Sequence, residues 1–241
     1  PQDTEEIAVH ATGGAEPTEE AVEGIQKRMH WEYPYLRDTE TPIKLSVSEL
    51  TKGVDRKDYF FTRRPKLLTQ KSFTPTERGI AAHKFMQFAD FEKAAADPEK
   101  EIARLVEMGF LSPEEGKFVD RGTLSTFFSG SIGKRVCSAD TVYREIRFMR
   151  EFTPQELAEI NPIFVVRGNT VVQGVADCVI IEKGEGIIVD YKTDMVTDMN
   201  TLALRYAPQL ALYQHILTEL LEVPITRRIL YSFTLGKEIT V

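Results

Sequence analysis

The chain has 241 residues, 42% hydrophobic and 28% charged, enough to bury a sizeable core and ordinary for a globular protein. No apolar run approaches the about 20 residues that span a bilayer and no signal-peptide pattern opens the chain, so neither a membrane protein nor a secreted one is expected. The net charge of −7 resides in residues 1–40, which carry ten acidic and three basic side chains; residues 41–241 carry 27 of each sign, so the acidic balance does not argue against a polyanionic partner for them.

Residue 1 is proline rather than methionine, and the expectation is a piece of a longer polypeptide. Residues 1–30, rich in Glu, Thr, Ala and Gly, read as an acidic linker or loosely held leader. Trp31, Tyr33, Pro34 and Tyr35 then form an aromatic cluster suited to tacking that leader onto a folded domain spanning 31–241. Seven basic residues against two acidic ones between Lys52 and Lys71 give a local charge of +5, either a solvated loop or an anion-binding stretch.

Thr76 is placed to cap a helix over 77–92 with Ala81, Phe85 and Phe88 on one face. Asp97-Pro98 opens a second helix with Ile102, Leu105 and Val106 inward and Gly109 as its stop. Ser112-Pro113-Glu114-Glu115 starts a third by capping-box logic, and a fourth carries Leu124, Phe127 and Phe128 to Ser129-Gly130. The period then changes. Strands are expected over 141–148, 163–166, 170–182 and 186–193, the last two joined at Gly184-Glu185-Gly186. A helix near 202–222 presents Leu210, Tyr213, Leu217 and Leu220, and a strand over 226–233 follows. The sum is an α/β fold with a mixed central sheet flanked by helices and a helical N-terminal half.

Two carboxylates sit in otherwise apolar strands: Asp177 and, 13 residues on, Asp190. Buried carboxylates need compensation. In antiparallel neighbours they approach each other, and an oxygen-rich pair of this kind favours Mg²⁺, with Mn²⁺ as a substitute. Lys192 shares the face of Asp190, where an ammonium can hold an attacking water or stabilise charge on a phosphate. The carbonyl of Tyr191 lies between them. Alone, Asp190-x-Lys192 would read as a buried ion pair; the second intrastrand carboxylate shifts the balance toward a site. Alone on a half-apolar helix, His83 reads as a satisfied core or surface residue more readily than as a ligand, and Glu145 as an edge-strand partner of Arg144 or Arg147. Gln209 and Tyr213, one turn apart, are either helix packing or a pair of donors. The two cysteines, Cys137 and Cys178, are too few for a zinc ribbon or an iron–sulfur cluster and read as reduced, buried residues.

Four motifs in this order, Gly79-x-x-x-His83, Gly174-Val175-Ala176-Asp177, Asp190-Tyr191-Lys192-Thr193-Asp194 and Tyr206-x-x-Gln209-Leu210-x-x-Tyr213, resemble the PD-(D/E)xK nuclease superfamily and, within it, the RecB-like nucleases. Trp31-Glu32-Tyr33-Pro34-Tyr35 and the run from Lys44 to Leu50 are similar to the entry of the C-terminal nuclease domain of bacterial ATP-dependent helicase–nuclease A subunits (AddA type). The resemblance covers residues 31–235.

It implies a restriction-endonuclease-like core and a Mg²⁺-dependent deoxyribonuclease acting in double-strand break repair and recombination in the bacterial cytoplasm. His83, Asp177, Asp190 and the Tyr191 carbonyl would surround the metal, Lys192 would stand beside the water, and Gln209 and Tyr213 would position the substrate. Arg63, Arg64, Lys66, Arg144 and Arg147, with Arg150 besides, are candidate contacts to the DNA backbone. The absence of a cysteine quartet argues against the cluster-bearing branches, and with no G-x-x-x-x-G-K-[ST] loop the implied helicase motor belongs elsewhere in the same polypeptide. The B subunit of a heterodimeric helicase–nuclease is the implied partner, and the strand would arrive single. A stand-alone exonuclease or resolvase of the same superfamily would share these residues, and an inactive module binding DNA or another protein of the complex is the reading from outside the enzyme class.

Overall fold

The computed structural model describes residues 19–30, 43–52 and 75–241. The aromatic cluster at 31–35, Arg63, Arg64 and Lys66 lie outside them. The chain separates into two compact units, Pro1–Thr41 and Pro42–Val241. In the first, α1 (Glu19–Met29) occupies part of the stretch expected as a loose leader. Acidic residues precede Lys27 and Arg28 along it, complementing the helix dipole, and Glu23 and Lys27 have i,i+4 spacing.

The second unit holds a six-stranded mixed sheet. β1 (Lys44–Ser46) is followed at once by α2 (Val47–Lys52). The Ser46 hydroxyl accepts the Glu49 N–H and the Glu49 carboxylate accepts the Ser46 N–H, at 3.2 and 2.6 Å, a capping box that fixes the turn. Then come α3 (Pro75–Phe88), α4 (Phe91–Ala96), α5 (Pro98–Glu107), α6 (Pro113–Phe118), α7 (Arg121–Ser129) and α8 (Ser131–Ser138). The helix expected over 77–92 therefore starts two residues earlier and breaks at Phe88, because Asp90 caps α4; Thr76 is inside α3, and Phe88 is exposed against Phe110. The Asp97 cap, the Ser112–Glu115 capping box and the left-handed Gly109 are where the sequence placed them.

The remaining elements are β2 (Thr141–Phe152), α9 (Pro154–Ile160), β3 (Thr170–Glu182), β4 (Glu185–Lys192), α10 (Met199–Leu221), β5 (Ile225–Ser232) and β6 (Lys237–Thr240). β3 and β4 form a hairpin whose turn is Lys183-Gly184, both with positive φ, rather than Gly184–Gly186; two such residues make the turn that matches strand twist. α10 carries the chain over to β5, parallel to β4. Pro208 lies inside α10 and leaves the Leu204 carbonyl without its helical donor; Leu204 is exposed, so water can serve it. Residues 163–166 form no strand: the Asn161 side chain accepts the Ile163 N–H and bends the chain after Pro162, while Phe164 is buried from a loop.

Two apolar layers enclose the sheet. On one face α3–α8 pack Phe85, Phe91 and Phe127 against Cys178, Ile180, Val189, Tyr191 and Tyr231. On the other, α2, α9 and α10 pack Leu50, Leu157, Leu210 and Leu217 against Val172, Ala176, Val179, Ile188 and Leu230. Leu220, expected on that face, is exposed.

Candidate active site

β3 has one edge paired with β2 over residues 170–181, with a break at Asp177, while its other edge is shared: β1 pairs with residues 171–173 and β4 with 178–182. Between those partners, Gly174-Val175-Ala176-Asp177 has no strand on that edge among the described residues, and the chemistry-bearing residues gather at this gap. A Cβ on Gly174 would lie 2.5 Å from Phe148 and 3.0 Å from Val47, so only glycine lets α2 and Phe148 close over β3 there.

At Asp177 the alternation of β3 slips by one residue. Val172 and Ala176 face the α10 layer, but beyond Asp177 it is Val179 that faces it while Cys178 and Ile180 face the opposite layer. The partner strand breaks at the same place. Glu145, which would oppose Asp177, is skipped in the register and has φ +51°, a backbone conformation rare for a residue other than glycine, asparagine or aspartate. Asp177 is thereby delivered to the sheet edge rather than into either core. Its Oδ2 accepts the Tyr191 N–H at 2.8 Å, one step past the last β3–β4 pair, Cys178 with Val189. A strand residue points its N–H and C=O to the same side, so the Tyr191 carbonyl also faces the gap. The Tyr191 ring is locked into the helical layer by Phe127 and Phe233, each with its ring centroid 5.7 Å away.

α3 brings His83 to the same point. Nδ1 of His83 lies 3.4 Å from Oδ1 of Asp177. Burial pulls the imidazole toward neutrality, but the hydrogen bond and charge of Asp177 outweigh it and hold the pKa above its ordinary value. The helix can come this close because Gly79 packs on Thr193. One ligand atom from each of His83, Glu145 and Asp177 lies within 4.8 Å of the others. Donors about 2.1–2.5 Å from a common ion are at most about 5 Å apart, so this nitrogen-and-oxygen set fits a divalent cation. Burial and the neighbouring Asp177 charge raise the Glu145 pKa, with His83 and Arg147 opposing. The trio opens onto a cleft of about 640 Å³ that Gly79, Lys84, Thr193 and Asp194 also line.

Behind the trio lies a second unit. Asp190, only 2% exposed, places Oδ2 2.7 Å from Lys192 Nζ and accepts from Gln209 Nε2 at 3.4 Å. Gln209 also donates to the Tyr213 hydroxyl at 3.1 Å, and Tyr213 stands edge-on to Phe148, the side chain packed over Gly174. Burial pushes the Asp190 carboxyl up to about 6 against the pull of Lys192. Burial disfavours the Lys192 ammonium as well, yet the charges of Asp190 and Asp177 hold it above its ordinary value. The 2.7 Å contact is that of an ion pair, in which each charge favours the other. Lys192 is further held over the Tyr206 ring, 4.1 Å from its centroid, and the Tyr206 hydroxyl donates to Asp194 at 3.0 Å.

The structure thus brings together His83, Asp177, Asp190, Tyr191, Lys192, Gln209 and Tyr213. Arg144 is separate: it donates to the carbonyls of Gln87 and Ala89 and stacks on Phe91 at 3.7 Å, closing the end of α3. Arg150 pairs with Glu156 and Glu219 beside α9 and α10, and Arg147 is exposed. Sequence reasoning left Asp194 and Tyr206 without roles, although Tyr206 precedes Gln209 by three residues and so shares its helical face.

A mixed sheet between helical layers, with an aspartate at a gap in one strand and Asp-x-Lys on the next, is the arrangement of the PD-(D/E)XK nuclease superfamily. Its family model matches residues 44–237, and the chain belongs to it. Among its curated relatives are several named as the A subunit of an ATP-dependent helicase/nuclease. That of Geobacillus thermodenitrificans is 33% identical over 88% of this chain and 19% of its own length. That of Clostridium kluyveri is 31% identical over 87% and 18%, and that of Clostridium botulinum strain Langeland 30% over 91% and 18%. The chain therefore spans less than a fifth of these relatives. Among solved structures, one titled "Crystal structure of SSO0001" aligns at a TM-score of 0.32 and 11% identity over 91% of this chain and 73% of that one, too low to bear on the fold. No helix among the described residues is long and apolar enough to cross a membrane.

Proposed function

We propose that residues 31–241 are the nuclease domain of a helicase–nuclease A subunit, with 1–30 as a leader to it, hydrolysing phosphodiester bonds in DNA with the help of Mg²⁺. The observation that carries this is the convergence of His83, Asp177, Asp190 and Lys192, from three elements, at the gap in the sheet beside an open cleft. His83, Asp177, Asp190 and the Tyr191 carbonyl would hold the cation. Bound there, it would polarise a phosphate oxygen and lower the pKa of a water.

The protein's own part is orientation and charge. Asp177 is fixed by the Tyr191 N–H and Asp190 by Gln209, so both carboxylates are set before substrate arrives, which spares reorganisation. Lys192, tethered to Asp190 and stacked on Tyr206, can direct an attacking water and stabilise negative charge growing on the phosphate. Gln209 and Tyr213 keep Asp190 in place.

On this reading the strand comes single from helicase domains of the same polypeptide, with the B subunit of the heterodimer as partner, during double-strand break processing in the bacterial cytoplasm. The relatives' names, which pair helicase with nuclease and designate a subunit, support the helicase part of this context. Cleavage of single-stranded DNA by the chain with Mg²⁺ tests the chemistry. Asp177→Asn and Lys192→Met should each lower the rate by at least about a hundredfold; full activity in either variant would overturn the assignment.

A further inference from the structure

Neither the sequence motifs nor the family resemblance gives Glu145 a role, and an ion pair with Arg144 or Arg147 was its ordinary expectation. Arg144 is instead committed to the end of α3, and among the described residues no basic side chain forms an ion pair with Glu145. What the structure does give it is a position. Its carboxylate stands with the His83 imidazole and the Asp177 carboxylate in the tight trio, on the wall of the cleft. It does so from the middle of a 12-residue strand, by a φ of +51° that drops it from the register opposite Asp177. Two carboxylates turned toward one imidazole repel each other unless a cation lies between them, and a left-handed glutamate inside a strand persists only where its surroundings require it.

We propose that Glu145 is a further ligand-bearing residue of the cation site, supplying an oxygen from the cleft side. This rests on the nuclease reading of His83 and Asp177. The site then has two parts. His83, Glu145 and Asp177 are open to the cleft and ready to take up a cation. Asp190 is already neutralised by Lys192, so its share of the cation must be traded against that ammonium. Cation uptake therefore depends on Glu145 more than on Asp190.

Calorimetric titration of Mn²⁺ into the 241-residue chain tests this, with and without a phosphorothioate oligonucleotide that resists cleavage. Four variants are compared: Asp177→Asn, Asp190→Asn, Glu145→Gln and Glu145→Gly. Glycine removes the carboxylate while suiting the left-handed backbone, so this variant should melt higher than the wild type without metal, which separates loss of binding from loss of fold. Both Glu145 variants are expected to weaken Mn²⁺ at least about tenfold and to shrink the rise in melting temperature that Mn²⁺ gives, with Asp190→Asn losing less. If both bind like the wild type while Asp177→Asn does not, Glu145 is outside the site and the nuclease reading stands. If Asp177→Asn also binds like the wild type, or the wild type binds nothing in either condition, both fail.

Discussion

A Cβ built on Gly79 would stand 2.6 Å from the Oγ1 of Thr193, so α3 and the end of β4 touch through a contact that only glycine permits. One side of it carries His83, four residues along the helix, and the other follows directly on Lys192. Gly79→Ala must push α3 away or turn Thr193 aside. Overpacking of this kind costs about 1–3 kcal/mol, and the displaced helix takes His83 from Asp177. The variant should melt lower and bind Mn²⁺ more weakly. Removing Oγ1 leaves the nearest atom, Thr193 Cβ, at 3.6 Å, so Gly79→Ala/Thr193→Ala should recover most of both losses. No recovery would mean that the contact is not what sets the helix position.

Arg144 and Arg147 are three residues apart on β2 and should behave differently. Arg144 donates to two carbonyls and covers Phe91, with burial pulling its guanidinium below the ordinary value. Arg144→Met should cost about 2–3 kcal/mol in a urea melt and leave the salt dependence of DNA binding as it was. Arg147 is exposed beside Val175, its partner in the register. If it meets a phosphate, Arg147→Ala should reduce the slope of log K against log salt by about one and leave the melt unchanged.

The strands that frame the site were legible because Val and Ile runs with turn residues between them leave little choice: β3 has the bounds expected of it, and β4 differs by one residue at each end. Helix starts with a side-chain cap, at Asp97 and Ser112, were legible for the same local reason. What failed needed tertiary information. β1 has three residues and exists because β3 offers it an edge, and residues 163–166 are as apolar as a strand but have no strand to pair with among the described residues. Asp177 and Asp190 could be placed together from the hairpin. Glu145 could not be placed, because nothing in Arg144-Glu145-Ile146 signals a left-handed residue; the break comes from the two strands shifting together. The break of helix at Phe88 was readable in hindsight from Asp90, a residue that favours caps over helix interiors.

The two thiols give a test that is independent of function. Cys178 is fully buried beside Tyr191, and burial pushes its pKa up to about 12, so almost none is thiolate at pH 8. Cys137 is half-buried at the end of α8, its thiol also raised, by burial and by Glu92 and Asp90. In the native protein a thiol-specific reagent should titrate Cys137 slowly and Cys178 only at the rate of global unfolding. Prompt reaction of two thiols would show that the core on the helical face opens locally.

Removing the ammonium beside Asp190 should expose the electrostatics of the inner unit. With Lys192 present, burial already pushes Asp190 from its ordinary 3.8 to about 6. A group raised in this way favours the folded state fully below the unfolded value, and that advantage is lost as the pH climbs through the folded one. In Lys192→Met burial acts unopposed, so the folded pKa rises further and the window widens upward. Near pH 8 the variant keeps a buried carboxylate with no cation, or takes up a proton that the unfolded chain does not hold. The loss there should be about 3 kcal/mol, shrinking as the pH falls through the folded value toward the unfolded 3.8 and levelling off only below it, where folded and unfolded carboxyls are both largely protonated. Urea midpoints of wild type and variant at pH 8 and pH 5 measure it. Asp190→Asn/Lys192→Met, with neither charge, should restore most of the stability at pH 8 and remove the widened pH dependence; a double variant as unstable as Lys192→Met would show that the lysine acts through its packing on Tyr206 rather than through its charge.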